Sequence, residues 1–333
     1  MTQNRQVLLK SRPSGEPTTA NFEIVEREVA ALAEGDVLVR TLFLSLDPYM
    51  RGRMNEGRSY AASVDVGGVM VGGTVGEVVE SRAEGFAKGD NVLGFGGWQE
   101  YAILPGKSLR KLDPKAAPLS YALGILGMPG MTAYVGLLDL AQPKAGETVV
   151  VSAASGAVGS VVGQIAKIKG CRAVGIAGGA AKCEYVVKEL GFDACVDHRD
   201  PMLPKNLRAA CPKGIDVNFE NVGGAVLQAV WPLMNDFGRV SVCGLIAQYN
   251  DTTLAPGPSW LLLLALRLKV SGFIVSDHMT RMADFLRDVS GWMREEKIKY
   301  REDVVEGLEK APEAFLGLLK GTNFGKLIVK MGD

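Results

Sequence analysis

The sequence is poor in the residues that bind transition metals. It contains only two histidines, His198 and His278, and its first cysteine is Cys171. A catalytic zinc ion needs Cys, His and carboxylate ligands, with one position left open for water or substrate. Because the first 170 residues contain neither Cys nor His, the sequence predicts no metal site in that region and disfavours zinc-dependent alcohol dehydrogenation.

Disulfide bonds and membrane spans are not expected either. The five cysteines are an odd number, lie singly in apolar segments and form no Cys-x-x-Cys pair, which predicts reduced core residues. The most apolar run, residues 260–268, contains Arg267 and is too short to cross a bilayer. The N-terminus lacks the apolar stretch of a secretory signal. We therefore expect a cytoplasmic protein.

Neither sign of charge is in excess, since the sequence contains 37 Lys and Arg residues and 37 Asp and Glu residues. The sequence therefore gives no electrostatic reason to expect nucleic acid or an anionic membrane as a partner, and it favours a small molecule. At 333 residues, 47% of them apolar, the chain is long enough for two packed domains.

Two sequence patterns divide the chain near Tyr121. Residues 1–121 alternate short apolar runs with Gly, Pro and Asp clusters, which predicts a compact β-rich domain. Residues 122–313 alternate strand-like and helix-like segments, as is typical of a parallel sheet with right-handed crossovers. A strand-like segment in residues 314–333 is expected to rejoin the first domain. The predicted fold class is α/β, with a Rossmann-type doubly wound parallel sheet plus a β-rich domain.

The clearest functional motif is a glycine-containing turn within residues 148–169. There the strand TVVVS is followed by AASGAVG and an amphipathic helix, which is the context in which such a turn binds a dinucleotide. Gly156 lets the backbone approach a pyrophosphate, and Gly159 lets helix and strand pack closely. Ala154 replaces the first glycine of the usual pattern, which implies a slightly wider turn. The alternative is a βα turn with no ligand.

The end of the next strand indicates which cofactor is bound. Its sequence GIAGG carries no Asp or Glu, whereas an NAD site holds a carboxylate against the ribose 2′-hydroxyl. Lys182 follows closely, and a cation beside a neutral turn suits a 2′-phosphate. These residues predict NADPH, unless Lys182 is merely a solvated lysine in a first helical turn.

Six segments resemble the zinc-independent alkenal/one oxidoreductases, a branch of the medium-chain dehydrogenases/reductases that includes prostaglandin, curcumin and plant double-bond reductases. They are SLDPYMRGRM (45–54), VSAASGAVGSVVGQ (151–164), AGG (177–179) with Lys182 and Cys183, FENVGG (219–224), CGLIAQYN (243–250) and GTNFGK (321–326). They span nearly the whole chain in the family's order. The resemblance implies a GroES-like first domain and reduction of the carbon–carbon double bond of an α,β-unsaturated ketone or aldehyde. Hydride would pass from NADPH to the β-carbon.

The resemblance also implies a set of cofactor-binding residues. It places Gly156, Ala157 and Val158 at the pyrophosphate, Lys182 at the 2′-phosphate, and Asn221 and Asn323 near the nicotinamide half. The set is completed by Gly178, His198, Cys243, Gly244, Tyr249 and Phe273. Position 198 is typically Tyr in relatives such as the mammalian prostaglandin reductases, so His198 is a departure at the adenosine phosphate.

Two tyrosines are the candidate catalytic residues. Hydride addition to an enone builds negative charge on the carbonyl oxygen, and a hydroxyl placed there beforehand stabilises it. Tyr249 is the first candidate, because it lies beyond the carboxyl end of a predicted strand, where ligands of doubly wound folds bind. Tyr49 is the second. The alternative for each is a buried ring whose hydroxyl bonds to a neighbouring carbonyl. Water can supply the proton at the α-carbon.

Other interpretations stay open at this point. Arg51 and Arg53 either hold an acidic substrate or are solvated or paired with Glu26 and Glu28, and the latter is favoured. Residues 260–266 line either a substrate pocket or a subunit contact. Relatives form dimers that extend the cofactor-domain sheet, so we expect a homodimer through residues 269–275. Alternative functions are a quinone or alcohol oxidoreductase of the same fold and a non-catalytic NADPH-binding sensor.

Overall fold

A computed structural model of the chain describes residues 2–253 and 256–332. Its strands are β1 (Gln3–Leu9), β2 (Phe22–Glu28), β3 (Asp36–Ser45), β4 (Thr74–Ser81), β5 (Asn91–Gly94), β6 (Tyr101–Pro105), β7 (Arg110–Leu112), β8 (Thr148–Ser152), β9 (Arg172–Ala177), β10 (Ala194–Asp197), β11 (Ile215–Glu220), β12 (Met234–Val242), β13 (Lys269–Gly272), β14 (Glu302–Glu306) and β15 (Lys326–Lys330). Its α-helices are α1 (Tyr49–Arg53), α2 (Met128–Val135), α3 (Gly159–Ile168), α4 (Ala180–Lys188), α5 (Leu203–Ala210), α6 (Gly224–Val230), α7 (Trp260–Ala265), α8 (Met282–Arg294) and α9 (Ala311–Leu319).

The chain folds into two compact units, one formed by residues 1–124 with 302–333 and the other by residues 125–301. The chain returns to the first unit at Glu302, earlier than residue 314, because β14 pairs in parallel with β15 over its whole length. No helix in residues 2–253 or 256–332 is long and apolar enough to cross a bilayer.

The first unit is built on a sheet of order β14-β15-β3-β4-β5-β7, with β6 also paired to β3. The long strand β3 is largely buried and pairs with β15, β4 and β6. An aromatic cluster forms part of the core: Phe22 stacks on Trp98 at 5.6 Å between ring centroids, and Phe315 meets Trp98 edge-on at 5.6 Å. Such pairs add to the stabilisation from apolar burial.

The second unit contains a six-stranded sheet of order β10-β9-β8-β11-β12-β13. All of its pairings are parallel. Every residue of β8 is buried, as expected for a strand that is covered on both faces by crossover helices. Numbered along the chain from β8, the spatial order is 3-2-1-4-5-6, which is that of a dinucleotide-binding sheet. The predicted doubly wound α/β sheet is confirmed.

Candidate active site

In the second unit, the predicted cofactor residues all lie just beyond strand ends. Because the strands are parallel, their carboxyl ends share one edge of the sheet, where doubly wound folds bind ligands. Gly156, Ala157 and Val158 follow β8; Gly178 and Lys182 follow β9; His198 follows β10; Asn221 follows β11; Cys243, Gly244 and Tyr249 follow β12; Phe273 follows β13. Tyr49 and Asn323 belong to the first unit.

The turn after β8 is tightly closed on itself. Ala153 adopts a positive φ of 52°, and its carbonyl oxygen accepts the N–H of Gly156 at 2.9 Å. Helix α3 then begins at Gly159. The first N–H groups of a helix have no intrahelical acceptor, so the turn presents donors and a partial positive charge suited to phosphate. This geometry fits a dinucleotide pyrophosphate.

Ala154, which departs from the usual glycine pattern, is accommodated by the neighbouring strand. The Ala154 side chain is fully buried, and its N–H bonds to the carbonyl of Ile176 in β9 at 3.0 Å. A Cβ added to Gly175 would lie 2.8 Å from the Ala154 methyl group. The missing side chain at Gly175 therefore provides the space that Ala154 fills, and close packing is retained.

A cationic cluster surrounds the turn after β9. A Cβ added to Gly178 would lie 2.9 Å from Nε2 of His198 and 3.3 Å from Nε of Arg199. Asp197 braces the same turn, because its Oδ1 accepts the N–H groups of Gly179 and Arg199, each at 2.9 Å. Helix α4, which carries Lys182 in its first turn, begins directly afterwards.

The pKa of His198 reports on these charges. Partial burial of the ring lowers the pKa, and the positive charges of Arg199 and Lys182 lower it further, against the raising effect of Asp197. The net direction is downward, so the free protein favours the neutral ring. Two permanent cations and a titratable ring beside a backbone turn form a suitable site for a 2′-phosphate.

The ends of β8 and β11 meet where the strand order reverses, which is the crevice that a dinucleotide crosses in this fold. Asn221 lies there, and its Nδ2 donates to the carbonyl of Ser152 at 2.7 Å. The backbone N–H of Asn221 donates to Oγ of the same serine at 2.7 Å. The side chain of Asn221 is therefore fixed against β8.

Tyr249 closes the loop after β12. Its hydroxyl oxygen accepts the N–H of Leu245 at 3.3 Å, and a Cβ added to Gly244 would lie 3.0 Å from that oxygen. Cys243, at the start of the loop, has its pKa raised to about 12, mainly by burial and also by the charge of Glu220. The thiol is therefore protonated at neutral pH.

The ring of Phe273 packs against the core of the second unit. It meets Phe219 edge-on, with ring centroids 6.4 Å apart. A Cβ added to Gly136 would lie 2.5 Å from Cζ of Phe273, so the Phe273 ring occupies the space that a side chain at position 136 would need.

In the first unit, Tyr49 begins helix α1. Burial raises the pKa of its phenol, and the negative charge of Asp47 raises it further, which keeps the hydroxyl protonated and able to donate. Asp47 is itself held by Lys326, whose buried Nζ lies 3.0 Å from Oδ1 of the aspartate. Asn323 donates from Nδ2 to the carbonyl of Gly325 at 2.8 Å.

The favoured interpretation of Arg51 and Arg53 as solvated or paired with Glu26 and Glu28 is wrong. Both arginines are buried, with exposed fractions of 2% and 6%. Arg51 donates to the carbonyl of Gly15 at 2.7 Å, and Arg53 donates to the carbonyl of Ala61 at 2.6 Å. Their guanidinium groups tie surface loops to α1, because a fork of N–H donors satisfies several backbone carbonyls.

Comparison with known proteins decides the family. A family model described as the N-terminal domain of oxidoreductase matches residues 5–112, and one described as zinc-binding dehydrogenase matches residues 157–290. The NADPH-dependent curcumin reductase of Escherichia coli is 53% identical over 99% of this chain and 98% of its own. The chain belongs to the alkenal/one oxidoreductases of the medium-chain dehydrogenase/reductase superfamily.

Two further relatives agree with this alkenal/one oxidoreductase assignment. Rat prostaglandin reductase 1 is 46% identical over 99% of this chain and all of its own length. The crystal structure of CurA from Vibrio vulnificus in complex with NADPH is 50% identical and has a TM-score of 0.96, covering 99% of each chain. The resemblance inferred from the sequence segments is therefore confirmed at the level of family and fold.

One of the matching family models is described by zinc binding. In the part of this alkenal/one oxidoreductase that the structure describes, no three His, Cys, Asp or Glu side chains come together as a metal-binding group.

Two residues at the strand ends were missed from the sequence. Arg199 directly follows His198 at the end of the third strand of the sheet, where the family resemblance indicated only His198. Glu220 is fully buried, and its Oε1 accepts hydrogen bonds from Ser152 Oγ at 2.7 Å, from Val222 N–H at 2.7 Å and from Gly223 N–H at 2.8 Å. An acidic residue at the carboxyl end of a predicted strand, where ligands of this fold bind, was the available signal.

Proposed function

We propose that this chain reduces the carbon–carbon double bond of α,β-unsaturated ketones and aldehydes, with NADPH as the hydride donor. The observation that carries the proposal is the cationic cluster beyond β9 and β10, at the edge of a 3-2-1-4-5-6 sheet. It occurs in a chain 53% identical to an NADPH-dependent curcumin reductase. In the reaction, enone, NADPH and one proton give the saturated carbonyl compound and NADP⁺.

The second unit supplies the proposed cofactor site. The residues after β8 would hold the pyrophosphate, and Lys182, His198 and Arg199 would hold the 2′-phosphate. Asn221, Cys243, Gly244 and Phe273 lie farther along the same edge and are assigned to the nicotinamide half. When bound, the cofactor supplies the hydride that is delivered to the β-carbon, and the protein supplies orientation and electrostatic stabilisation.

A phenol hydroxyl is proposed to stabilise the enolate oxygen. Tyr249 is the first candidate, because its hydroxyl lies at the carboxyl end of β12 with its oxygen anchored by Leu245. Tyr49 is the second, because burial and Asp47 keep its phenol protonated. Each hydroxyl can donate to an oxygen that gains negative charge. Water is the proposed proton source for the α-carbon.

The experiment that tests this function is an assay of NADPH oxidation with three hydride acceptors: an enone, a quinone and a simple saturated ketone. We expect turnover with the enone, and deuterium from 4-deuterated NADPH at the β-carbon of the product. Preference for the quinone or for carbonyl reduction would establish the alternative oxidoreductase activity. Cofactor binding without turnover of any enone would favour the sensor.

We also propose that the protein is a cytoplasmic homodimer. Strand β13 is the last strand of the sheet on its side, and such an edge presents backbone groups able to pair with a second copy. The nearby helix α7 exposes Trp260 and Leu261 to 79% and 78%, which favours a subunit contact. Sedimentation of the wild-type chain and of a Trp260→Glu variant tests this, since the variant is expected to be monomeric.

A further inference from the structure

Glu220 lies at the centre of the proposed crevice. It is the last residue of β11, and β11 is the neighbour of β8 at the point where the strand order reverses. Ligands of doubly wound sheets bind outside the strand ends at this point. The Glu220 side chain is nevertheless fully buried, so it forms part of the floor of the crevice.

The contacts of Glu220 fit an ionised carboxylate. Its Oε1 has three donors, which are Ser152 Oγ and the N–H groups of Val222 and Gly223. Its Oε2 accepts Nδ2 of Asn218 at 3.0 Å. Ser152 Oγ accepts the N–H of Asn221, so its own O–H is directed to Glu220. An ionised carboxylate only accepts, and four donors match it.

No lysine or arginine forms an ion pair with Glu220 in the part of the chain that the structure describes. The negative charge is therefore stabilised by neutral donors alone. Its influence extends to the loop after β12, because the charge of Glu220 contributes to the raised pKa of Cys243. In a buried region such a charge acts over longer distances than at an exposed surface.

Glu220 also links the ends of three strands. Its side chain joins β11 to Ser152 at the end of β8. Its backbone carbonyl accepts the N–H groups of Cys243 and Gly244, at 2.9 and 3.1 Å, beyond the end of β12. The loops that carry Asn221 and Gly244 are thus held by the same residue.

We propose that Glu220 is a positioning residue for the nicotinamide half of the crevice, and that its charge favours the oxidised dinucleotide over the reduced one. The inference rests on the proposed function, because it requires a nicotinamide cofactor at this edge. Nicotinamide carries a positive charge only when oxidised. A fixed negative charge therefore stabilises the charge that develops as hydride leaves, without reorganisation of solvent.

The test compares dissociation constants for NADPH and NADP⁺ in the wild-type chain, Glu220→Gln and Ser152→Ala. Glutamine keeps the shape and can keep the hydrogen bonds, because Asn218 Oδ1 is buried without a hydrogen-bond partner in the described residues and can accept from the new amide after rotation. We expect Glu220→Gln to raise the ratio Kd(NADP⁺)/Kd(NADPH) by on the order of five- to tenfold. Ser152→Ala disturbs the same network but keeps the charge, so both constants should rise by a similar factor.

An unchanged ratio in Glu220→Gln, with both nucleotides bound, overturns the inference and leaves the proposed function intact. Failure of the wild-type chain to bind either nucleotide overturns both. If Glu220→Gln does not fold, Glu220→Ser provides a second neutral variant, since its smaller side chain leaves room for water at the freed donors. The same change in ratio is expected there.

Discussion

Gly159 and Ala153 are in such close contact that no side chain fits between them. A Cβ added to Gly159 would lie 2.3 Å from the carbonyl oxygen of Ala153. That carbonyl also accepts the N–H of Gly156, so the contact fixes the turn between β8 and α3. The start of α3, which is the proposed pyrophosphate site, depends on a bare Cα at this position.

Gly159→Ala is therefore expected to destabilise the protein by about 1–3 kcal/mol and to weaken NADPH binding, because the turn must open. Gly291→Ala is the matched control: this glycine lies in α8, and an added Cβ would meet nothing within 4 Å. Alanine there should be neutral or stabilising by up to about 1 kcal/mol. Urea denaturation and nucleotide titration measure both effects, and equal behaviour of the two variants would contradict the prediction.

Arg199 should contribute to the choice of NADPH over NADH. We expect Arg199→Ala and Lys182→Ala each to weaken NADPH binding by roughly tenfold, the loss of one charge-assisted contact, without changing NADH binding. Arg208→Ala, on an exposed face of α5, is the control. Titration with 2′,5′-ADP and 5′-AMP isolates the 2′-phosphate. Equal losses for both nucleotides would assign Arg199 a structural role instead.

The lowered pKa of His198 predicts that NADPH affinity depends on pH. A bound 2′-phosphate raises the pKa of the ring, so protons are taken up on binding and affinity rises as pH falls. Between pH 8 and 6 we expect roughly a two- to fivefold gain. His198→Tyr keeps a ring but does not titrate in this range, so the gain should disappear, since protonation of the 2′-phosphate at low pH only weakens its binding to cations. An unaltered pH profile in that variant would exclude His198.

The two tyrosines can be separated by their phenylalanine variants. If Tyr249 donates to the enolate oxygen, Tyr249→Phe should lower kcat with an enone by on the order of a hundredfold, and NADPH affinity should fall much less because the ring is kept. Tyr49→Phe should then have a smaller effect on kcat. Single-turnover NADPH oxidation measures this. The reverse order would assign the donor role to Tyr49, and unchanged kcat in both variants would remove both from that role.

Lys326 is expected to matter for stability despite its charge. Its buried Nζ bonds to Asp47 and to the carbonyls of Leu46 and Leu327. Lys326→Met leaves the Asp47 carboxylate buried without its cation, at a cost of about 3–5 kcal/mol. Lys330→Met, at an exposed position of the same strand β15, should change stability by less than about 0.5 kcal/mol. Adding Asp47→Asn to Lys326→Met should recover part of the loss, as measured by urea denaturation.

The fold of the second unit could be predicted from the sequence, because its signals are local. Strand, turn and helix around Gly156 follow one another within a short segment, and parallel strands bring their carboxyl ends to one edge. The order of the predicted site residues along that edge follows from the same rule. The absence of a carboxylate after β9, which favours NADPH over NADH, could also be predicted from the sequence, since it concerns a single turn.

Burial of charged residues could not be predicted in the same way. Arg51 and Arg53 look like surface residues because arginine is rarely buried unless paired, and the carbonyl of Gly15 that accepts from Arg51 lies 36 residues away. Lys326 is 279 residues from Asp47. Such partners are brought together only by tertiary structure. Glu220 is an intermediate case, because Asn218, Val222 and Gly223 lie within three residues of it and only the Ser152 hydroxyl is brought to it by tertiary structure.

The first unit is built from two segments that are distant in sequence, residues 1–124 and 302–333, and this has a consequence for biosynthesis. Strand β15 lies between β14 and β3 in its sheet, so that sheet is incomplete until residues 326–330 have left the ribosome. All strands of the second unit, by contrast, are complete by Gly272. Domains fold as units during synthesis. The cofactor-binding sheet can therefore form on the nascent chain before β15 is available to pair with β3.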